Sequence, residues 1–423
     1  MADFTPEAIT VSFLEKHSGR FGITWQTRSA GRPVLRYTEN GDALFEHASI
    51  VYGKAEKGAA YDVVRYKNYA ETPDFKPGQQ VLYQVGDESG VYSEAAILHV
   101  PEDSPNHTAF AVFTDTQDTN TVGGWWEKLL CDADKVFPQY GFIVHGGDIV
   151  ETCVFPDHWS KMLSNTAAHT RSYPMAVATG NHDYWKGYLR GVSGPFYSHF
   201  HMALPPQDTD DGVYFSVERG NALILLLNSG DYNKTGGRLT DSQFEWAKRE
   251  LRDSPRRWKI VIIHNPLFSP GKYGTMERLD IPCLELRAQL SPLFSEHGAD
   301  LVICGHDHMF VRTYPIGADG HPQTDADTVK SDFLGRSAEL FYGAAGPIHF
   351  EPACAGHQNR GIECEMTPEQ RAPFREMRET GSGEVAWAAV ETDENELKVL
   401  FRTLDMNSGK CVFESAFGIR KDS

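Results

Sequence analysis

Between residues 109 and 304, apolar runs of strand length alternate with segments of helical period, and most of the runs end in a residue able to bind a cation. The runs occupy 109–114, 141–145, 175–179, 222–228, 259–264 and 300–304. Helix candidates at 125–136, 158–168, 241–252 and 284–296 lie between them. Strand then helix, repeated, argues an α/β domain whose strands are covered on both faces. Asp241 is the expected N-cap of its helix, followed by the Phe244-Glu245-Trp246 turn. In such domains ligands gather beyond the carboxyl ends of the strands. Asp115, Asp148, Asn181, His182, His264, His306 and His308 all fall there. Singly, each has an ordinary explanation: Asp115 as a helix cap, Gly147-Asp148 and Gly180-Asn181 as turns, His264 as a core histidine, His306-Asp307-His308 as a surface turn. Jointly, in order and at successive strand ends, the functional reading prevails.

Residues 1–103 have another texture. Stretches at 21–27, 33–38 and 48–52 alternate with period two, Asn40-Gly41-Asp42 marks a turn, and further strand signals follow at 75–87 and 92–94. No helical period appears, which predicts a small antiparallel β-sandwich. It holds no cluster of ligands or nucleophiles and reads as a structural or interaction module. Pro101-Glu102-Asp103-Ser104-Pro105 is the linker, so the domains are expected at 1–103 and 104–423. Beyond the last histidine motif, 317–337 and 351–383 read as polar, loop-rich insertions that could border a site. Strand texture returns at 385–390, 397–403 and 410–415, expected to close a second sheet.

The net charge of -18 opposes nonspecific attraction to nucleic acid and to anionic membranes. It does not exclude anionic substrates, because bound cations reverse the local field. The 7 cysteines show no CxxC pair and suit reduced thiols; a Cys354–Cys364 bridge would need an oxidising compartment. The N-terminus has neither a basic n-region nor a long apolar h-region, and no apolar run reaches membrane-spanning length. The expected location is cytoplasmic, or secreted or periplasmic if a leader has been removed.

Collected, the strand-end motifs are Asp115-Thr116-Gln117, Gly147-Asp148-Ile149-Val150-Glu151, Gly180-Asn181-His182-Asp183, Ile263-His264 and Gly305-His306-Asp307-His308. Carboxylate, amide and imidazole without thiolate form a donor set for first-row ions and Mg²⁺. There are ligands enough for two ions, which a bridging carboxylate holds about 3.5–4 Å apart in two-metal hydrolysis. In this order the motifs resemble those of the calcineurin-like metallophosphoesterases, and among these the purple acid phosphatases. Residues 305–315 resemble that group's last motif, and 243–251 with 258–269 its preceding helix–strand block. Pro77-Gly78, Tyr83, Val85-Gly86-Asp87 and Ser93 resemble its fibronectin-like N-terminal domain. The resemblance implies a catalytic α+β sandwich, two mixed β-sheets flanked by helices, preceded by a fibronectin type III-like sandwich.

It also implies roles. Asp148 would bridge two metal ions, Asp115 and His308 would bind the first, and Asn181, His264 and His306 the second. His182, with Asn181, would hold the substrate phosphate and give a proton to the leaving alkoxide, while Asp183 would orient the His182 ring. A metal-bound hydroxide would attack phosphorus in line, with no covalent enzyme intermediate. Two positions depart from the pattern. Gln117 stands where the common motif has His, and Glu151 where the purple enzymes have a tyrosinate. Either could complete the first site. Both are hard oxygen donors, which favours Fe or Mn, with Mg or Zn as alternatives. Without a tyrosinate no charge-transfer colour is expected. The expected substrate is a small phosphate monoester. The alternatives are a phosphodiesterase acting on cyclic nucleotides or other small diesters, and a non-catalytic metal-binding scaffold; a nuclease is disfavoured by the charge.

Other residues have plainer expectations. His145 reads as a packed strand-end histidine, Arg312 as a salt-bridge partner, Cys304 as a small core residue, and His349 and His357 as surface. Tyr197, His199 and His201 stand at even odds of approaching the site, and Lys272 and Arg278 are the candidates for phosphate recognition.

Overall fold

Thr108–Phe113 is buried at every position and pairs in parallel with Phe142–His145, which pairs in parallel with Met175–Val177. The registers set Phe113 beside His145 and His145 beside Val177. The three chains therefore leave the sheet side by side, carrying Asp115, Asp148 and Asn181 with them. In a second sheet Leu227 pairs with Ile263, and Ile262 with Ile303, so His264 and His306 emerge from adjacent strand ends. A slip of one residue in either register would turn every alternate side chain to the wrong face.

The computed structural model describes residues 2–39, 41–58, 65–184, 194–209, 212–230, 235–271, 283–356, 361 and 366–422; Lys272, Arg278, His357 and Cys364 lie outside them. Among these residues the larger sheet has 12 strands. Its order is Thr328–Phe333, Arg336–Tyr342, Cys411–Arg420, Glu396–Asp405, Glu384–Thr392, Thr108–Phe113, Phe142–His145, Met175–Val177, Glu7–Phe13, Phe21–Thr27, Tyr66–Glu71 and Lys54–Lys57. The second has 7: Phe215–Arg219, Ala222–Leu227, Trp258–Ile263, Leu301–Ile303, Ile348–Pro352, Phe310–Pro315 and Phe374–Arg378. A sheet of 4 strands, Ser49–Tyr52, Pro33–Thr38, Gln80–Asp87 and Ala96–His99, forms the other layer of the N-terminal region.

Alternation along the apolar strands joins these layers. Ile224, Leu226, Ile260 and Ile262 share one core with Phe110, Val112 and Phe142 of the larger sheet. Their neighbours Leu223, Leu225, Leu227, Val261 and Ile263 face the other way. There they pack on Ala247 and Leu251 of helix Asp241–Asp253 and on Leu286, Leu290 and Leu293 of helix Cys283–Glu296. Burial of such a side chain is worth roughly 1.5–3 kcal/mol relative to exposure. Helix Gly124–Val136 covers the larger sheet with Trp126, Leu129, Leu130 and Ala133, one stripe at helical spacing. The architecture is thus α/β, two mixed sheets flanked by helices, with an all-β N-terminal region. No described helix is long and apolar enough to cross a membrane.

Several expectations need correction. The tail strands do not close a second sheet: Glu384–Thr392 pairs antiparallel with Thr108–Phe113 and extends the first. Glu7–Phe13 was not apparent as a strand, yet it pairs in parallel with the Met175 strand at Ser12, making the N-terminal strands continuous with the catalytic sheet. The 317–337 stretch contains strand Thr328–Phe333 at the far edge of that sheet, and 351–383 contains helix Pro368–Arg371 and strand Phe374–Arg378. Thr240, not Asp241, caps its helix, its hydroxyl accepting from the Gln243 N–H at 3.3 Å.

Candidate metal centre

The strand ends turn sharply. Asp115, Asp148, His306 and His308 have φ of 52°, 56°, 76° and 61°, the left-handed region that side chains other than Asn, Asp and His rarely adopt. Each such residue costs of the order of 1–3 kcal/mol, and such strain concentrates at functional sites. Gly147 enables the Asp148 turn: with φ 103°, a Cβ there would lie 2.5 Å from the Gly180 nitrogen and 2.8 Å from His264 Nδ1.

The turns bring the side chains of both sheets together. Asp148 Oδ2 lies 3.2 Å from His264 Nε2 and 3.4 Å from Gln117 Nε2. Its Oδ1 accepts the His182 N–H at 2.7 Å. Ligand atoms of Asp148, His264 and His306 lie within 4.8 Å of one another. His308 Nε2 lies 3.2 Å from Asp115 Oδ1 and 3.4 Å from Gln117 Nε2. His264 Nδ1 donates to the Gly146 carbonyl at 3.0 Å, which leaves its Nε2 lone pair facing inward. The Asp115 carboxylate receives the His306 N–H and the Thr114 hydroxyl, the latter at 2.6 Å.

These residues fit a divalent cation. Asn181 Oδ1 and Gln117 Oε1 are buried without hydrogen-bond partners among the described residues, and His264 Nε2 has only the Asp148 carboxylate at 3.2 Å. An unsatisfied buried polar atom costs about 1–3 kcal/mol, so these atoms call for an occupant. Without a cation, the acids and imidazoles hold each other's charge. Burial would raise the Asp148 carboxyl, but His264 and His182 pull it well below the usual carboxylate range. Burial would depress the His264 imidazole, but Asp148 pushes it up to about 9.

The His182 ring is oriented differently from expectation. Its Nδ1 lies 2.7 Å from the Glu151 carbonyl oxygen, and the Glu151 carboxylate is 4.0 Å away. Asp183 has another task. Its Oδ2 accepts N–H from Asp148 at 2.8 Å and Gly180 at 2.9 Å, and its Oδ1 accepts from Ile149 at 2.9 Å. Asp183 therefore locks two ligand loops together, and the Glu151 backbone holds the ring. Gln117 and Glu151, open alternatives in the sequence, are also separated by their contacts. Gln117 lies between Asp148 and His308, whereas Glu151 lies on His182.

Elsewhere, His145 Nε2 meets the Thr116 hydroxyl at 3.0 Å in a fully buried strand end, and burial pushes the imidazole down to about 3. His199 stacks on Trp159 at 4.5 Å and His201 on Tyr69 at 4.0 Å, both packing against other elements. Arg312 pairs with Glu339 at 3.0 Å and Glu376 at 2.9 Å. Cys304 is buried. His349, expected at the surface, is buried against Phe268 with neither ring nitrogen partnered among the described residues. A further contact, from Cys354 to the Asp115 backbone, had no signal in the sequence.

Residues 108–310 match the model of the family described as Calcineurin-like phosphoesterase. This part of the chain is a calcineurin-like phosphoesterase domain. Acid phosphatase type 7 of Danio rerio is 23% identical over 398 residues, covering 88% of this chain and 83% of the relative. An uncharacterized protein of Mycobacterium tuberculosis is 27% identical over 222 residues, 48% of this chain and 40% of the relative. The chain thus matches less than half the length of that relative. Among solved structures, a purple acid phosphatase from yellow lupin (Lupinus luteus) seeds aligns with a TM-score of 0.76 at 14% identity, over 99% of this chain and 75% of that one. The fold is therefore that of the calcineurin-like phosphoesterases, with its likeness to purple acid phosphatases extending over both the N-terminal β region and the catalytic sheets. The family implies divalent metal ions.

Proposed function

We propose that this chain is a metal-dependent phosphoesterase that uses two ions to hydrolyse small phosphate monoesters. The observation that supports the reading is the contact set of Asp148, whose Oδ2 lies 3.2 Å from His264 Nε2 and 3.4 Å from Gln117 Nε2, a member of each proposed ligand group. Asp115, Gln117, His308 and Asp148 would hold the first ion; Asp148, Asn181, His264 and His306 the second. Fe or Mn suits the oxygen-rich first group. When bound, the ions would supply Lewis acidity and lower the pKa of attacking water.

The protein's own contribution centres on His182. A carbonyl can only accept, so the Glu151 oxygen keeps a proton on Nδ1 in every state of the ring. Nε2 is then the atom that gains and loses the working proton. In its cationic form it can donate to a phosphoryl oxygen or to the departing alkoxide. The side chain is only 21% exposed, so it meets substrate at the mouth of the site and is shielded from bulk water. Asp183 fixes the loops on which Asp148 and His182 ride.

We also propose that the division between domains falls at 103/104. The N-terminal strands would then serve as a buttress, since Glu7–Phe13 supports the strand that leads to Asn181.

The test is a phosphoester screen on chain loaded with Mn²⁺ or Fe²⁺. p-Nitrophenyl phosphate is expected to turn over faster than bis-p-nitrophenyl phosphate. His182→Ala should lower turnover of an alkyl phosphate roughly 10²–10⁴-fold with metal content unchanged. A preference for the diester would make the chain a phosphodiesterase. Two bound ions with no activity on the panel would make it a scaffold.

A further inference from the structure

The family match ends at residue 310, yet one of its ligand loops is gripped from beyond that point. Residues 353–356, Ala-Cys-Ala-Gly, follow the buried strand Ile348–Pro352 and run along 114–117. The Ala355 N–H donates to the Thr114 carbonyl at 3.0 Å, and the Gly356 N–H to the Asp115 carbonyl at 2.8 Å. The Cys354 thiol donates to that same Asp115 carbonyl at 3.0 Å and adjoins the His308 side chain. On its other side, the Cys354 carbonyl accepts the Ala386 N–H at 3.0 Å, which ties the segment to strand Glu384–Thr392. Gly356 cannot carry a side chain, because a Cβ there would collide with the Gln117 carbonyl.

The grip is one-sided. Asp115, Gln117 and His308 are each touched by this segment, whereas His264 is held by the Gly146 carbonyl and the Asn181 turn by Asp183. Cys354 connects two of the three. It is fully buried and spends its proton on the Asp115 carbonyl. A neighbour that orients a ligating side chain strengthens the hold on the cation it binds. The carbonyl contact meanwhile holds Asp115 in its left-handed turn, the conformation that aims its carboxylate at His308.

We propose that Cys354 is a positioning residue for the first ion alone, setting the Asp115 turn that aims its carboxylate at His308. This rests on the two-ion reading above.

The experiment is calorimetric titration of the metal-free full chain with Mn²⁺, with bound metal counted after gel filtration. Wild type is expected to bind two equivalents. Cys354→Ala should keep one at wild-type affinity and weaken the other about 10–100-fold, the usual effect of losing a group that orients a ligand. Cys354→Ser, which keeps a small donor and acceptor, should recover most of that loss. If the alanine variant does not fold, Cys354→Val fills the space without a hydrogen bond and should show the same selective weakening. Binding of both equivalents as in wild type, or equal weakening of both, would overturn the assignment. A wild-type chain that binds one ion would instead overturn the two-ion reading, before any variant is compared.

Discussion

On the two-ion reading, the ligand groups around Asp148 are built to different strengths. The second has the Asp148 carboxylate with the His264 and His306 imidazoles, and would take in the Asn181 amide; His264 is fixed by a backbone carbonyl at 3.0 Å. The first joins Asp115 and His308 to the Gln117 amide, whose Nε2 lies 3.4 Å from both Asp148 Oδ2 and His308 Nε2. Amide oxygen and nitrogen exchange places on rotation, so a cation there would draw the unpartnered Oε1 inward. A neutral amide oxygen is a poorer donor than the imidazole it replaces. The second group should therefore fill first, and the first should depend more on its surroundings, the 353–356 segment above all. Two ions that share a bridge need not share affinity, and the weaker site is where selectivity among metals would be set.

The harshest way to break the comparison is to remove what the groups share. Asp148→Asn leaves a neutral amide between them. Both equivalents of metal are expected to weaken, and kcat/KM to fall on the order of 10³-fold, the scale seen when an electrostatic element of a hydrolytic site is deleted. Metal content by plasma mass spectrometry, read beside activity, checks both. Loss of one equivalent only would show that Asp148 belongs to a single group.

Which parts of this site were legible beforehand follows from how far apart the interacting residues lie in the chain. Asp115, Asp148, Asn181, His264 and His306 could be read because each ends an apolar run, and the ends of neighbouring parallel strands converge whatever the order of the sheet. The placing of Glu384–Thr392 beside Thr108–Phe113 could not, because that pairing spans most of the chain and both strands are simply apolar. Cys354 was invisible for the same reason. Its partner is a backbone carbonyl 239 residues away, which leaves no pattern in side-chain types. The exchange of tasks between Asp183 and Glu151 is a matter of loop closure. Asp183 is close to His182 in sequence, but its two oxygens are consumed by three N–H groups that only folding delivers. His349 reads as a surface histidine until Phe268 is seen to cover it.

A gentler change sharpens the difference. Gln117→His supplies the imidazole of the common motif to the weaker group and should tighten the first ion about tenfold, or about 1.4 kcal/mol, in the titration used for Cys354. The second equivalent should not move. Glu151→Tyr is the companion. If only Gln117 reaches the first ion, iron-loaded Glu151→Tyr stays colourless; a purple form would place position 151 at that ion and weaken the case for Gln117.

The smallest expected effect lies outside both groups and measures what the frame contributes. His107, just before strand Thr108–Phe113, has Nε2 3.7 Å from Glu391 Oε2 on the neighbouring strand. The Glu391 carboxylate raises the His107 pKa above 6.5, against a smaller effect of burial. Burial opposes charge on Glu391, but His107 and Gln139 outweigh it and lower its pKa below 4.5. The signs fix the window. The histidine's contribution is complete below about pH 6.5 and is lost as pH rises through its raised value; the glutamate's is complete above about pH 4.5 and is lost as pH falls through its lowered value. The pair therefore stabilises most between these limits and fades in alkali. With the His107 side chain 41% exposed, solvent screening keeps the gain below about 1 kcal/mol. Glu391→Gln should lower the Tm more at pH 6 than at pH 8.5, while metal binding stays at two equivalents in both. If that substitution also loosened the first ion, the seam between strands Thr108–Phe113 and Glu384–Thr392 would be part of what holds Asp115. The weakness of the first group would then lie in its frame as well as in its amide ligand.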